Sequence, residues 1–411
     1  VPETNRSYEI RIVAVLAVLW GLVALNRIGI TFLFPFILPE FRMSATQAGV
    51  LVSVFAVCFA AAQVCFGGLS DRIGRKRVLV PSALAFGALS LITGTVASAA
   101  ALFTCWGAAG ACGGPTFPPS AATIAEESEP RRRGLNMGIH QSLFPLIGIG
   151  FGGIVLTALG SSWGWKPTLM AIGALTFVWG LVVMAVMREP ASSMARTDGT
   201  EQTEKVRASS VFRYRNVVVS VGVCMCYMTW IFVFSAFCVL YLTQVRNFPI
   251  AAAGGIMSAW GFGGFLGMIL IPGLSDNLGR QPTTILASLF AGLSVMVFVT
   301  SGFGLSGLAA VLFVGGFFGW GAFPLFLSIF PSESVPPSII GVAISLPASI
   351  GDLFGSVVMP ILGGLLADSY GLTYTMYLAG AMPLLAAVIA LAYRETAPKV
   401  LARRRLALQG E

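Results

Sequence analysis

The stretch GGLSDRIGRKR, residues 67–77, returns as PGLSDNLGRQP, residues 272–282. Each copy is a short polar segment carrying Asp, Gly and Arg between two long apolar runs. A second correspondence lies downstream. Phe117-Pro118 precedes Glu127-Ser128 by ten residues, and Phe323-Pro324 precedes Glu333-Ser334 by the same ten. Two matches at an offset of about 206 residues mark a chain built of duplicated halves.

The apolar runs around these segments set the fold class. Of 411 residues 56% are hydrophobic and 10% charged, with a mean hydropathy of +0.86. A soluble protein of this size carries about 25% charged residues, so the chain reads as an integral membrane protein. Windows of about 20 apolar residues predict spans near 12–37, 47–69, 79–98, 100–125, 135–160 and 166–187. A second set falls near 216–243, 250–273, 282–302, 304–330, 339–367 and 374–393. The polar segment 188–215 reads as a cytosolic linker between an N-terminal bundle, 1–187, and a C-terminal bundle with its tail, 216–411. The opening VPETNRSYEIR is polar and the first run is long enough to span, so no cleavable signal is expected. The initial Val suggests an initiator Met removed or left out.

Lys and Arg positions give the orientation. Of 25, Arg27 lies inside a span, and Arg42, Lys166 and Arg246 are the ones in odd-numbered loops. The rest sit in the termini, even-numbered loops and linker, which predicts both termini in the cytosol, with a bacterial inner membrane as the expected location. The net charge of +8 is therefore a topology signal and not a nucleic-acid surface. The seven Cys, all in spans and without a CxxC pair, indicate neither a disulfide framework nor a metal site, and read as small buried hydrophobes.

With these features in place, the sequence resembles the major facilitator superfamily. The family's loop pattern, G-x-x-x-D-R-x-G-R-[RK], appears as Gly67, Asp71, Arg72, Gly74, Arg75 and Lys76, and in reduced form as Gly273, Asp276, Gly279 and Arg280. The resemblance implies an all-α fold of twelve transmembrane helices in two pseudo-symmetric six-helix bundles. It also implies that these loop residues latch the halves together on the cytosolic side. Glu126 or Glu127, at the cytosolic end of span 4, are candidate partners for Arg75.

Several motifs carry less. GIGFGG (148–153) spells a dinucleotide-binding pattern, but it sits inside span 5 with no strand before it. Its glycines, like those of GGIMSAWGFGGFLG (254–267) in span 8, read as sites of close helix packing. His140, the only His, is a candidate proton-relay group, or a residue that hydrogen-bonds a neighbouring helix. Tyr227, Trp230 and Trp320 lie in spans 7 and 10, which line the central cavity of the resembled family, and are candidate substrate contacts or packing residues.

Of Arg, Lys, Asp and Glu, two side chains remain at depth: Arg27 in span 1 and Asp352 in span 11. Arg27 is 16 residues from Arg11 and Asp352 is 14 from Ser338. At 1.5 Å per residue both lie roughly 21–24 Å from the cytosolic helix ends. A charge at that level needs a partner, water or a substrate. A permanent ion pair holding the halves together is one reading. The other is an anion hook, Arg27, for which Asp352 competes until protonation or substrate releases the pair. In anion-transporting branches of the resembled family a span 1 Arg is the counter-ion of the substrate. The anion:cation symporter branch carries an Asp-Arg pair there, where this chain has Asn26-Arg27, so Asp352 is left as the proton site. Asn26 and Thr31 accompany Arg27 as candidate contacts. Pro145 in span 5 lacks the preceding Gly of the family's antiporters, which favours uptake.

The expected function is a monomeric, proton-coupled symporter of a small organic anion, most simply a monocarboxylate, with no cofactor. The alternative is a proton-coupled multidrug or cation efflux carrier with Asp352 as the cation site. An enzyme or receptor finds no support, because no nucleophile–base set or metal cluster accompanies the Ser and Cys residues in the spans.

Overall fold

A computed structural model of the chain describes residues 6–189, 208–336 and 339–409. Its helices are α1 (Arg6–Phe32), α2 (Ala45–Ile73), α3 (Arg75–Thr93), α4 (Ala99–Gly113 with Phe117–Glu127), α5 (Arg133–Trp163) and α6 (Trp165–Val186). The second set is α7 (Arg215–Val245), α8 (Ile250–Leu278), α9 (Arg280–Thr300), α10 (Leu305–Glu333), α11 (Ile340–Tyr370) and α12 (Leu372–Ala390). Among the described residues, eleven of these are long and apolar enough to cross a membrane. The exception is α4, expected as one helix over 100–125. A 3-10 turn at Gly114–Thr116 divides it, where Pro115 lacks the N–H that a continuous helix would use. The first span also differs from the expected 12–37. It begins at Arg6, and the chain breaks near Leu33 before a short helix at Phe34–Phe41. Hydropathy misses that start because it is polar. Glu9 is nonetheless buried, accepting hydrogen bonds from Arg132 Nη2 at 2.9 Å and Asn136 Nδ2 at 2.8 Å.

Helices α1 to α6 pack chiefly on one another, as do α7 to α12. The halves meet along α2–α11, α5–α8 and α1–α7. The face carrying both described chain ends is called here the near face, and its opposite the far face. Gly74 and Gly279, at φ 111° and 107°, turn the near-face connections α2–α3 and α8–α9 in a conformation that L side chains rarely adopt. The pair occupies matching places in the two halves, as the duplicated segments require.

The glycine-rich runs of α5 and α8 do what close packing demands. A Cβ on Gly153 would come within 2.6 Å of the Gly254 carbonyl oxygen, and one on Gly261 would strike the Gly150 backbone. A Cβ on Gly267 would come closer still to the Phe317 carbonyl oxygen on α10. Gly267→Ala therefore forces two backbones apart, at a cost of about 1–3 kcal/mol. Gly273→Ala meets nothing within 4 Å and should be neutral or slightly stabilising, because Ala suits a helix better. Melting temperatures of the two purified variants in detergent test this, and equal values would refute the close-packing account.

Candidate functional site

A cavity of about 430 Å³ lies between the halves. Its walls are Trp20 and Arg27 of α1, Phe59 and Gln63 of α2, Phe117 of α4, Gln141 and Phe144 of α5, Met228 and Phe232 of α7, Trp320 and Phe323 of α10, and Ser345, Ser349 and Asp352 of α11. Helices α2, α4, α5, α10 and α11 line it with their near-face halves, and α1 and α7 from mid-depth; Ser345 and Ser349 are exposed to the space. On the far-face side α2 and α11 are in contact. The cavity thus opens toward the near face and ends blind at mid-depth.

Its floor is the charged pair. Arg27 Nη2 donates to Asp352 Oδ1 at 3.1 Å, joining α1 of one half to α11 of the other. The guanidinium is sandwiched by rings, its carbon 4.7 Å from the Phe59 centroid and 4.4 Å from that of Phe232. Cation–π attraction strengthens as water is excluded, and the Arg27 side chain is only 7% exposed. A guanidinium has five N–H donors. Among the described residues, Arg27 makes this one hydrogen bond. The pair is monodentate, and the remaining donors border the cavity. Aromatic rings form the walls above it: Trp20 lies 4.6 Å from Phe117 and 5.2 Å from Phe144, while Phe144 reaches across the halves to Trp320 at 5.9 Å.

The structure brings together Arg27, Asp352 and Trp320 of the residues singled out in the sequence, and leaves the others elsewhere. Asn26 faces α6, donating to Thr176 Oγ1 at 2.8 Å and to the Leu22 carbonyl at 2.9 Å. The Thr31 hydroxyl donates to the Ile28 carbonyl at 2.7 Å. Tyr227 is fully buried, its hydroxyl 2.8 Å from Ser288 Oγ on α9, and Trp230 packs on Trp260 at 5.0 Å. None of these four lines the cavity; α7 turns Met228, Ile231 and Phe232 to it. His140 is also fully buried, with Nε2 3.3 Å from Ser120 Oγ on α4 and its ring stacked on Trp20. That matches the helix-bridging reading of this residue, and it stands behind the cavity wall.

The loop residues form two equivalent clusters on the near face, each within its own half. Arg75 pairs with Glu126 on α4 at 2.5 Å. Arg280 pairs with Asp276 at 2.6 Å and with Glu333 on α10 at 3.1 Å. Arg72 is exposed, and Gly67 and the Asp71 side chain lie outside the described residues. The expected latch between the halves is not formed in this conformation. Among the described residues, no hydrogen bond or ion pair joins the halves on the near side of Arg27–Asp352.

Each cluster has a member that sequence reasoning missed. Glu189, just beyond α6, accepts from the Arg75 and Lys76 amides at the start of α3. Glu395, just beyond α12, accepts from the Arg280 amide at 2.8 Å and the Gln281 amide at 3.2 Å at the start of α9. Both carboxylates sit on orphan helix N-terminal donors, where the macrodipole favours negative charge. The dipeptides Arg188-Glu189 and Arg394-Glu395 repeat at the offset of the other duplicated motifs, and that repeat was the available signal.

The sequence profile described as Major Facilitator Superfamily matches residues 16–353. A protein of Cupriavidus necator named a probable sulfoacetate transporter is 24% identical over 299 residues, 69% of each chain. A gallate transporter of Pseudomonas putida is 27% identical over 401 residues, covering 88% of this chain and 86% of that one. Among solved structures, a bacterial homologue of the human lysosomal transporter Spinster, crystallised inward-facing and unoccupied, superposes with a TM-score of 0.77 at 16% identity. That superposition covers 94% of this chain and 97% of that one.

The Glu395 cap can be tested alone. Glu395→Ala should cost the worth of a lost N-terminal cap, about 0.5–2 kcal/mol of stability, read as a lower melting temperature. It should also speed amide hydrogen exchange over 280–283. Unchanged exchange there would remove Glu395 from the cap.

Proposed function

The chain belongs to the Major Facilitator Superfamily, and from that membership we propose that it is a proton-coupled symporter of a small aromatic monocarboxylate, working by alternating access. It spans the bacterial inner membrane as a monomer with its near face, and both termini, in the cytosol. The loop clusters around Asp71, Arg75, Asp276 and Arg280 latch the halves when the near face closes.

One observation carries the reading. The only mid-depth guanidinium among the described residues is clamped between two rings and spends a single donor on the opposite half. A structural pair would be expected to use a bidentate geometry, because desolvating two charges is repaid only by good hydrogen bonding. A substrate carboxylate can meet the remaining donors in two parallel bonds. The surrounding rings suit a flat apolar body by offset or edge-to-face contact. One Arg matches one carboxylate, since a second would face Asp352. The gallate transporter named above is a relative whose cargo has this chemistry.

The coupling follows from charge conservation in a poorly solvated space. Empty, the floor holds Arg27⁺ and Asp352⁻. Loaded, it holds Arg27⁺, the substrate anion and protonated Asp352. Both forms are neutral and both can reorient, whereas an anion bound beside ionised Asp352 leaves an extra negative charge in low dielectric. Each anion therefore travels with one proton. The efflux alternative would use the free Asp352 oxygen for a cation, and labelled benzoate against a labelled lipophilic cation separates the two.

Removing a charge-assisted bond of roughly 1.5–3 kcal/mol, Arg27→Ala should weaken benzoate or gallate binding by about tenfold to a hundredfold or more. Arg27→Lys should recover little, lacking the planar fork. Isothermal calorimetry measures both. Native affinity in a well-folded Arg27→Ala, Asp352→Ala double variant would overturn the hook. In proteoliposomes, Asp352→Asn should abolish accumulation driven by a pH gradient and spare counterflow. For the unaltered protein, an imposed membrane potential should leave the initial rate unchanged. Potential-driven accumulation would refute the one-proton, one-anion count.

A further inference from the structure

The far-face seam between α2 and α11 holds a contact that the transport site does not use. It is a ladder running outward from the cavity floor. Ser53 Oγ donates to the Val357 carbonyl at 2.6 Å. One turn further out, Gly49 lies against the Pro360 carbonyl, and beyond it Gly364 lies against Ala45 and Thr46. At the mouth, Asp368 of α11 accepts from the Ala45 amide at 3.0 Å, the Thr46 amide at 2.9 Å and the Thr46 hydroxyl at 2.5 Å.

Those two amides belong to the first turn of α2, whose leading N–H groups have no partner within the helix. The rest of that turn is satisfied locally. Ser44 Oγ accepts from the Gln47 amide and Gln47 Oε1 from the Ser44 amide, a complete capping box. The N-terminal half thus caps all of α2 except two donors, and the C-terminal half supplies those with a carboxylate. Among the described residues, the other seam between the halves has no equivalent. The start of α8 has Pro249 at its N-cap and no side-chain cap, and Ser161 near the end of α5 bonds its own helix at Thr157.

We propose that Asp368 is the far-side latch of the transport cycle, a carboxylate cap lent by one half to a helix of the other while the cavity faces the near side. The capping box keeps α2 helical when the latch lets go, so release frees Asp368 and two amides to water without unwinding the helix. This rests on alternating access alone and needs neither the anion nor the proton of the preceding section. Its test accordingly uses protein without substrate.

Asp368→Ala and the milder Thr46→Val, reconstituted in nanodiscs, should shift the resting population toward the far-open state. Hydrogen exchange read by mass spectrometry should speed about three- to tenfold over 44–50 and 360–370 in Asp368→Ala, and less in Thr46→Val. In the same samples exchange should slow over 133–141 and 340–346, where the near-face cavity mouth closes. That reciprocal pattern is specific to a latch. Faster exchange confined to 44–47 would reduce Asp368 to a local cap, and no change at either face would also refute the proposal.

Discussion

A guanidinium cannot shed its proton to escape a low-dielectric interior, and the rest of this structure is arranged around that constraint. Arg27 sits where α1 passes mid-depth, and the fold brings Asp352 to the same level from the opposite half. Rings above and below replace the water that the charge has lost. Replacing such a pair with apolar residues is often neutral or stabilising. A pair at the floor of a cavity, made with one bond of several available, leaves donors for a further partner, and the function proposed above builds on that.

The contacts on the two faces follow a single conformation. At the near face Arg75 and Arg280 are engaged by carboxylates of their own halves, and among the described residues no hydrogen bond or ion pair joins the halves there. At the far face the halves are joined by backbone packing and by Asp368. In the alternating-access cycle proposed above, rocking to the opposite state exchanges partners on both faces.

The duplicated loops, the twelve apolar runs and the shared depth of Arg27 and Asp352 were legible in the sequence, because each depends on spacing along the chain. Which face of a helix lines the cavity was not. A membrane helix is apolar toward lipid and toward its neighbours, so no periodicity separates Tyr227 and Trp230, turned into the bundle, from Met228 and Phe232, turned to the cavity. Asn26 misled for a related reason. A polar residue beside Arg27 suggests a binding site, yet a step of one residue rotates a side chain by about 100°, and Asn26 bonds α6 instead. Position along the helix was readable, but rotation about it required the packed structure.

The duplication also shows where function departs from scaffold. A π-helical segment interrupts α5 at Leu146–Phe151 and α11 at Leu353–Val358, matching places in the two halves. Such segments loosen the hydrogen-bond ladder and recur at functional sites. In α5 the residue that opens the segment is Pro145; in α11 it is Asp352. Arg27 has the aliphatic Val233 at the corresponding point of α7. The halves share the element that lets a helix bend at mid-depth, and differ in the side chain mounted on it. The polar floor of the cavity takes one charge from each half, at places that symmetry does not relate.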